Sequence, residues 1–338
     1  MTNKRHFYLS SLLLTLSFLL FGYVSMAPAV AATPDSGAGF TISPQFPANQ
    51  NSQTTGYFDL TVAPKDTQEI TVNVINTTDH ARKLRVQPTD AWTGDNGLVN
   101  YTPNPKKRPE TKTSFTKLTS RGVTVDLNAH EGKPVTFTTK VPAQGFSGQI
   151  LGGIFVTDPA VTKTTGKQNF KINNRYAMII GVLLHQANRA KVTPDLKLAS
   201  VTGSQKNQRA TILATLKNPR PVLFGKMTIH AKVTGQMRTT TTLKNYEVAP
   251  NSRFNAAIDL GERKLQPGRY HLDLTAKSGR HTWHFKRNFT VTKKAANQAN
   301  EHIKVKQNWL WLWITLGVLA AGLLLFGGYW LGRRRQRK

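Results

Sequence analysis

The sequence predicts an all-β ectodomain, two tandem immunoglobulin-like β-sandwiches, followed by a single C-terminal transmembrane helix. Three observations carry that prediction. Short runs of β-branched and aromatic residues recur between clusters of Pro, Gly, Asn and Asp from residue 39 to residue 291. An uncharged stretch of 23 residues, 309–331, precedes a basic tail. Between the two ends no stretch holds a helical period, except residues 292–306.

In chain order, Lys4 and Arg5 precede the apolar run 7–26 and the small-residue segment Ala27-Pro28-Ala29-Val30-Ala31-Ala32. That pattern is a secretory signal peptide over 1–32, with an uncleaved anchor as the competing reading. The first domain spans 33–166, with strand patterns at 57–62, 70–75, 84–87, 123–127, 135–137 and 149–157. Residues 158–171 break the pattern and mark the boundary. The second domain spans 167–292, with strand patterns at 176–184, 196–201, 211–216, 227–233, 254–260, 270–276 and 283–291. Pro267-Gly268 and Ser278-Gly279 are placed as hairpin turns. One large sandwich with insertions is the competing architecture.

Residues 293–308 read as a polar juxtamembrane stalk, 309–331 as the membrane span and 332–338 as a cytoplasmic tail. Trp309, Trp311 and Trp313 mark one interface of the span and Tyr329 and Trp330 the other. The five tail cations set the orientation, with both domains outside. No Leu-Pro-x-Thr-Gly pentapeptide precedes the span, so the expected attachment is a single pass through the cell membrane.

Across 338 residues there are 46 Lys and Arg against 17 Asp and Glu, a formal charge of +29, and no cysteine. Zero cysteine excludes disulfides, thiolate metal sites and cysteine nucleophiles. So high a charge calls for an acidic partner, and export removes nucleic acid from the candidates. The charge is uneven: residues 33–166 carry +2 and residues 167–308 carry +20. Binding by the first domain is therefore expected to depend little on salt. Whatever the second domain holds is expected to be acidic and released by salt, with wall polymer or anionic headgroups as the alternative use of that charge.

No constellation points to catalysis, to a metal or to a cofactor. His281 and His284 lie three residues apart in a strand and so on opposite faces. Asp90, Asp95 and Asn96 lack the alternating spacing and closing Glu of a calcium loop. The 17 acids include no pair that sequence places together, as glycosidase chemistry requires. Gly152-Gly153 lacks the strand–turn–helix setting of a phosphate loop and reads as a close approach within a strand. For binding, Asn49, Gln50, Trp92, Asp95 and Asn96 offer amides and an aromatic face for a sugar. A Trp92 packed in the core or at an edge, with the amides bracing turns, is the competing reading. Lys106, Lys107 and Arg108 stand between Pro105 and Pro109 as a site for wall phosphate or carboxylate, or as a solvated loop.

The order and spacing of many such residues resemble those of the WxL-interacting proteins of Gram-positive cell surfaces. In the first domain these are Pro44, Phe46-Pro47, Asn49-Gln50, Gly56 to Leu60, Pro64, Asn76, Ala91, Thr93, Asn96-Gly97, Tyr101 and Phe146 to Ile154. In the second they are Asn174, Tyr176-Ala177, Ile180 to Val182, Leu196, Leu198, Asn218, Ala249 to Ser252, Gly268, Tyr270, Trp283, Phe285 and Phe289. Lys65 after Pro64 and Gly94 after Thr93 depart from the family, which often has Gly and Asn there. The resemblance implies a first domain that binds peptidoglycan and a second that engages host extracellular matrix protein or a WxL-type surface protein. None of the six Trp residues is followed two positions later by Leu, so the chain resembles the receptor of such a partner. The alternatives are a carboxylate-based wall hydrolase and a protein that binds teichoic-type anionic polymers.

Overall fold

The computed structural model describes residues 38–51, 56–159, 176–186, 192–301 and 310–335. The expected signal peptide, and most of the expected boundary segment, lie outside the described residues.

The first domain contains β1 (Phe40–Gln45), β2 (Phe58–Val62), β3 (Thr67–Asn76), β4 (Arg82–Asp90), β5 (Trp92–Thr93), β6 (Val99–Asn100), a 3-10 turn (Pro105–Lys107), α1 (Phe115–Leu118), β7 (Val123–Leu127), β8 (Gly132–Lys140), β9 (Gln149–Thr157) and β10 (Ala177–Gln186). A three-stranded sheet in the order β1-β3-β8 packs on a five-stranded one in the order β2-β10-β9-β4-β7, and β5 and β6 form a separate hairpin. Alternation decides which faces meet: Phe58, Leu60 and Val62 of β2 and Ile70, Val72 and Val74 of β3 point into one core with Leu84, Val86, Ile154 and Val182. Removing each such side chain from water contributes about 1.5–3 kcal/mol.

The central strand β9 is buried on both faces, and its paired glycines explain how. A Cβ on Gly152 would lie 2.4 Å from the ring of the fully buried Phe115, while one on Gly153 would meet Tyr101 on the opposite face at 3.2 Å. The close approach within a strand expected at these residues is thus present twice, once on each face.

β10 joins a sheet of the first domain. The 176–184 pattern was placed first in the second domain; instead β10 pairs antiparallel with β9 and parallel with β2, and Ile180, Val182 and Leu184 enter the first core. An apolar run buried on both sides carries no local mark of which sandwich it joins.

The second domain contains β11 (Lys197–Lys206), β12 (Arg209–Lys217), β13 (Phe224–Gly235), β14 (Thr239–Val248), β15 (Arg253–Asp259), β16 (Gly268–Ser278), β17 (His281–Val291) and α2 (Lys293–Asn300). Sheets in the orders β11-β12-β15 and β14-β13-β16-β17 share a core that includes Ile212, Leu216, Ile229, Val233, Phe254, Leu272 and Leu274. Residues 279 and 280 join β16 to β17 as the expected hairpin. Pro267-Gly268, by contrast, leads from one sheet into the other. Asn76 and Asn218, fully buried, staple loops in the two domains: Asn76 Nδ2 donates to the carbonyls of His80 and Asn128, and Asn218 Nδ2 to those of Val222 and Ala249.

Part of the expected stalk is integral to the second domain. Thr292 caps α2 by accepting from the Ala295 amide, Ala296 and Ala299 are buried in the core, and the Asn300 side chain exchanges two hydrogen bonds with the Leu265 backbone. Beyond it, α3 (Leu310–Arg335) falls on the expected span. The continuous stretch of described side chains in α3 covers 310–323, and among the described residues no helix is long and apolar enough to cross a membrane. Trp311, Trp313, Val318, Leu319, Leu323 and Phe326 are each 64–71% exposed.

Candidate functional site

A cleft of about 600 Å³ opens in the first domain where four segments converge. β4 supplies Gln87, Pro88, Thr89 and Asp90; β5 supplies Trp92; the 3-10 turn and its flanks supply Lys107 and Arg108; and the α1 region supplies Thr116, Lys117 and Arg121.

Local chemistry fixes each wall. Asn104 caps the 3-10 turn, its side chain accepting from the Lys106 amide at 3.1 Å, and Pro105 presets the backbone that follows. Lys107 is thereby held with Nζ 5.9 Å from the centroid of the Trp92 ring. The indole Nε1 of Trp92 donates to the Thr102 carbonyl at 2.9 Å, so the ring is anchored at one edge and stays half-buried. Asp90 is spent on structure: Oδ1 accepts from the Thr116 amide and Oδ2 from the Thr116 and Ser114 hydroxyls, which ties the start of α1 to β4. Lys117 Nζ reaches the Thr111 carbonyl, and Arg108 and Arg121 are exposed. The cleft therefore offers one indole face and four cations, and its one acid is already engaged.

Of the site residues read from sequence, Trp92, Lys107 and Arg108 come together here. Lys106 is exposed and does not line the cleft. Asn49 and Gln50 lie on the approach to β2, where Asn49 Nδ2 donates to the Thr61 carbonyl and Gln68 Oε1, and the Gln50 amide binds the Tyr57 carbonyl and the Asp59 amide. These amides brace a turn. Asn96 accepts from the Leu98 amide within the β5–β6 hairpin.

Asp95 faces the second domain. Its Oδ1 accepts from the Asn255 amide and from Lys107 Nζ, its Oδ2 from the Asn255 side chain, and its carbonyl from Lys206 and Tyr246. Burial pushes this carboxyl up, but the Asn255 hydrogen bonds and the Lys107 charge prevail and hold it below the ordinary 3.8. Around it, Thr93 binds Ser252 at 2.6 Å and accepts from the Ala249 amide. Gly97, at φ +81°, accepts from the Glu247 amide while Tyr246 occupies the space a Cβ would need. Glu110 pairs with Lys217 and Arg253. The turn expected to hold sugar is thus a junction between domains, with Trp92 facing outward from its base.

Gln87, Thr116, Lys117 and Arg121 were not found from sequence. Each is an ordinary polar residue in its own segment, and only the pairing of β4 with β7 and the docking of α1 bring them to Trp92. His281 and His284 do lie on opposite faces: His281 stacks on Trp283 and His284 bonds Thr275.

Residues 40–158 match the family model described as WxL Interacting Protein, peptidoglycan binding domain, and residues 167–301 that described as WxL Interacting Protein, host binding domain. The second match begins upstream of β10, so sequence family and hydrogen-bonded sheets divide the chain at different places. No curated protein matches. Among solved structures the chain is similar to the class 5 fimbriae chaperone CfaA, at 12% identity and TM-score 0.28, covering 75% of this chain and 99% of that one. It is similar to the YadV chaperone at 11% and 0.26, covering 75% and 100%. The CsuC-CsuE chaperone-tip adhesion subunit pre-assembly complex from Acinetobacter baumannii matches at 13% and 0.29, covering 64% and 88%.

Proposed function

The chain belongs to the WxL Interacting Protein family, and from that premise we propose that it is a membrane-anchored, non-enzymatic adaptor of the cell surface. In this reading the first domain grips peptidoglycan. The second presents itself to an acidic WxL-type surface protein or host matrix protein, and α3 with the tail holds both domains outside the membrane.

The observation that carries the reading is the Trp92 cleft, which lies within the segment matched to the peptidoglycan-binding model. An indole face suits the apolar face of a pyranose, and Lys107, Arg108, Lys117 and Arg121 suit the carboxylates of peptidoglycan stem peptides. Asp90 supports a binding role over hydrolysis, because both its oxygens serve α1 and the cleft holds no second carboxylate to pair with it. The uninterrupted apolar character of 310–331 and the basic residues after it support the anchor.

Sedimentation of the full chain in detergent with insoluble peptidoglycan tests this. Trp92→Ala and the double variant Arg108→Ala/Arg121→Ala should each weaken retention by roughly tenfold or more, the loss of one aromatic or two charged contacts. Retention equal to that of the parent in both variants would place the site elsewhere.

A further inference from the structure

The outward face of β14-β13-β16-β17 carries a pattern that a protein partner does not explain. Cross-strand register aligns Lys232, Asp273 and Lys286 in one row, His230, Thr275 and His284 in the next, and Thr228, Lys277 and Thr282 in a third. Toward the other end, Thr234, His271 and Asn288 align, then Arg269 with Thr290. The opposite faces of these strands supply Ile229, Val233, Leu272, Leu274 and Ala276 to the core, so these polar residues all point away from it.

In these rows of β13, β16 and β17 four cations, Lys232, Lys277, Lys286 and Arg269, stand with one acid, Asp273, while β14 adds Lys244 and Glu247, and none of the four makes an ion pair with a described residue. Threonine and histidine fill the spaces between them, held flat by cross-strand bonds of 3.0 Å from His230 to Thr242 and from His284 to Thr275. No described exposed large apolar side chain lies between residues 192 and 301. Protein interfaces centre on buried aromatic and Arg anchors and are poor in Lys. This face offers the reverse: dispersed charge, mostly lysine, with hydroxyls between and no aromatic anchor. Its cations run from Arg269 to Lys277, eight residues of β16 or about 27 Å. That is longer than a single phosphate or lipid headgroup and matches an extended chain with charges at intervals.

We propose that this face binds a linear polyol-phosphate polymer of the cell wall, in addition to the protein partner of the second domain. The lysines would meet successive phosphodiesters and the threonines the polyol hydroxyls. The choice of a wall polymer over other linear polyanions rests on the peptidoglycan reading of the first domain.

The test titrates the full chain in detergent with poly(glycerol phosphate) of defined length, and separately with a sulfated polysaccharide. Lys232→Gln/Lys277→Gln/Lys286→Gln should weaken binding of the phosphate polymer by roughly tenfold or more and flatten its salt dependence. The control Lys197→Gln/Lys264→Gln/Lys294→Gln removes as much charge from elsewhere on the domain and should stay within about twofold. Equal weakening by both triples, no binding of the phosphate polymer by the parent, or tighter binding of the sulfated chain would each overturn the proposal. Peptidoglycan sedimentation is run beside it: its failure in the parent counts against the adaptor reading and leaves the titration to decide this one.

Discussion

Asp95 of the first domain and Asn255 of the second meet through two hydrogen bonds, one from the Asn255 amide to Oδ1 at 2.9 Å and one from its side chain to Oδ2 at 3.0 Å. This pair lies between β5 and the outer face of β12 and β15. Lys107 binds the same carboxylate from the side of the Trp92 cleft, so the wall of the cleft and the junction share one group. The orientation of the domains and the shape of the cleft are therefore coupled.

Asp95→Ala should loosen the junction and the cleft together. It leaves the Asn255 donors and Lys107 without their acceptor in a half-buried site, a cost of about 1–3 kcal/mol. Peptidoglycan retention should fall although Asp95 does not line the cleft, and protease cutting between the domains should speed up. Unchanged cutting with reduced retention would point instead to direct contact of Asp95 with ligand.

Acid should weaken this junction. The Lys217 hydrogen bond, followed by the Arg253 charge, holds Glu110 below its ordinary 4.5 against the opposing effect of burial, and Asp95 lies below 3.8. Because both folded values are depressed, the stability they contribute is complete above 3.8 and 4.5 and is lost as pH falls through the lower folded values. The melting temperature should be insensitive to these two groups from about pH 7 to about pH 5 and decline below about pH 4. Asp95→Asn/Glu110→Gln should flatten that decline; a double variant that falls as steeply as the parent would assign acid sensitivity to other carboxylates.

Alternation exposed most of the strands to reading, and 123–127 and 149–157 coincide with β7 and β9. Besides the two-residue β5 and β6, two strands escaped for identifiable reasons. β1 contains Pro44, tolerated because the strand is an edge, and β14 opens with four threonines and is broken by bulges against β13, with Asn245 at φ +60°. Sheet membership was not legible for β10, whose partners lie about 25 and 120 residues upstream. In the cleft, Trp92, Lys107 and Arg108 were legible because each is locally unusual. Lys117 and Arg121 were not, and neither was the destination of Asp95, because a turn rich in Asp, Asn and Gly looks the same whether it faces a ligand or another domain.

Lys65 holds φ at +69° in the turn that follows Pro64, a backbone region in which a Cβ is strained. Its amide donates to the Pro142 carbonyl, and Asp66 accepts from the Ala63 amide at 2.6 Å, so the turn is pinned at both sides and cannot relax toward negative φ. Lys65→Gly should stabilise the first domain by about 0.5–1 kcal/mol, the relief of strain exceeding the added chain entropy of glycine. Thermal unfolding checks the sign, and a lower melting temperature would mean that entropy wins.

Gly152 and Gly153 adjoin in sequence yet should respond differently to the same change. A methyl on Gly152 enters the Phe115 ring, with Phe115 Cδ1, Cγ and Cβ at 2.4–2.6 Å, and Phe115 is the fully buried first residue of α1, which also forms the cleft wall through Thr116 and Lys117. Either the ring or the helix must move, so Gly152→Ala should cost about 1–3 kcal/mol and weaken peptidoglycan retention as well. On Gly153 the methyl finds the Ile180 carbonyl oxygen at 3.1 Å and Ile179 and Tyr101 side-chain atoms at 3.2 Å, gaps that call for a shift of a few tenths of an ångström in two partly exposed side chains and in the β10 backbone. Gly153→Ala should therefore cost less than about 1 kcal/mol and leave retention unchanged. Equal losses in the two variants would show that β9 resists any added volume, and that α1 is not the element through which packing reaches the cleft.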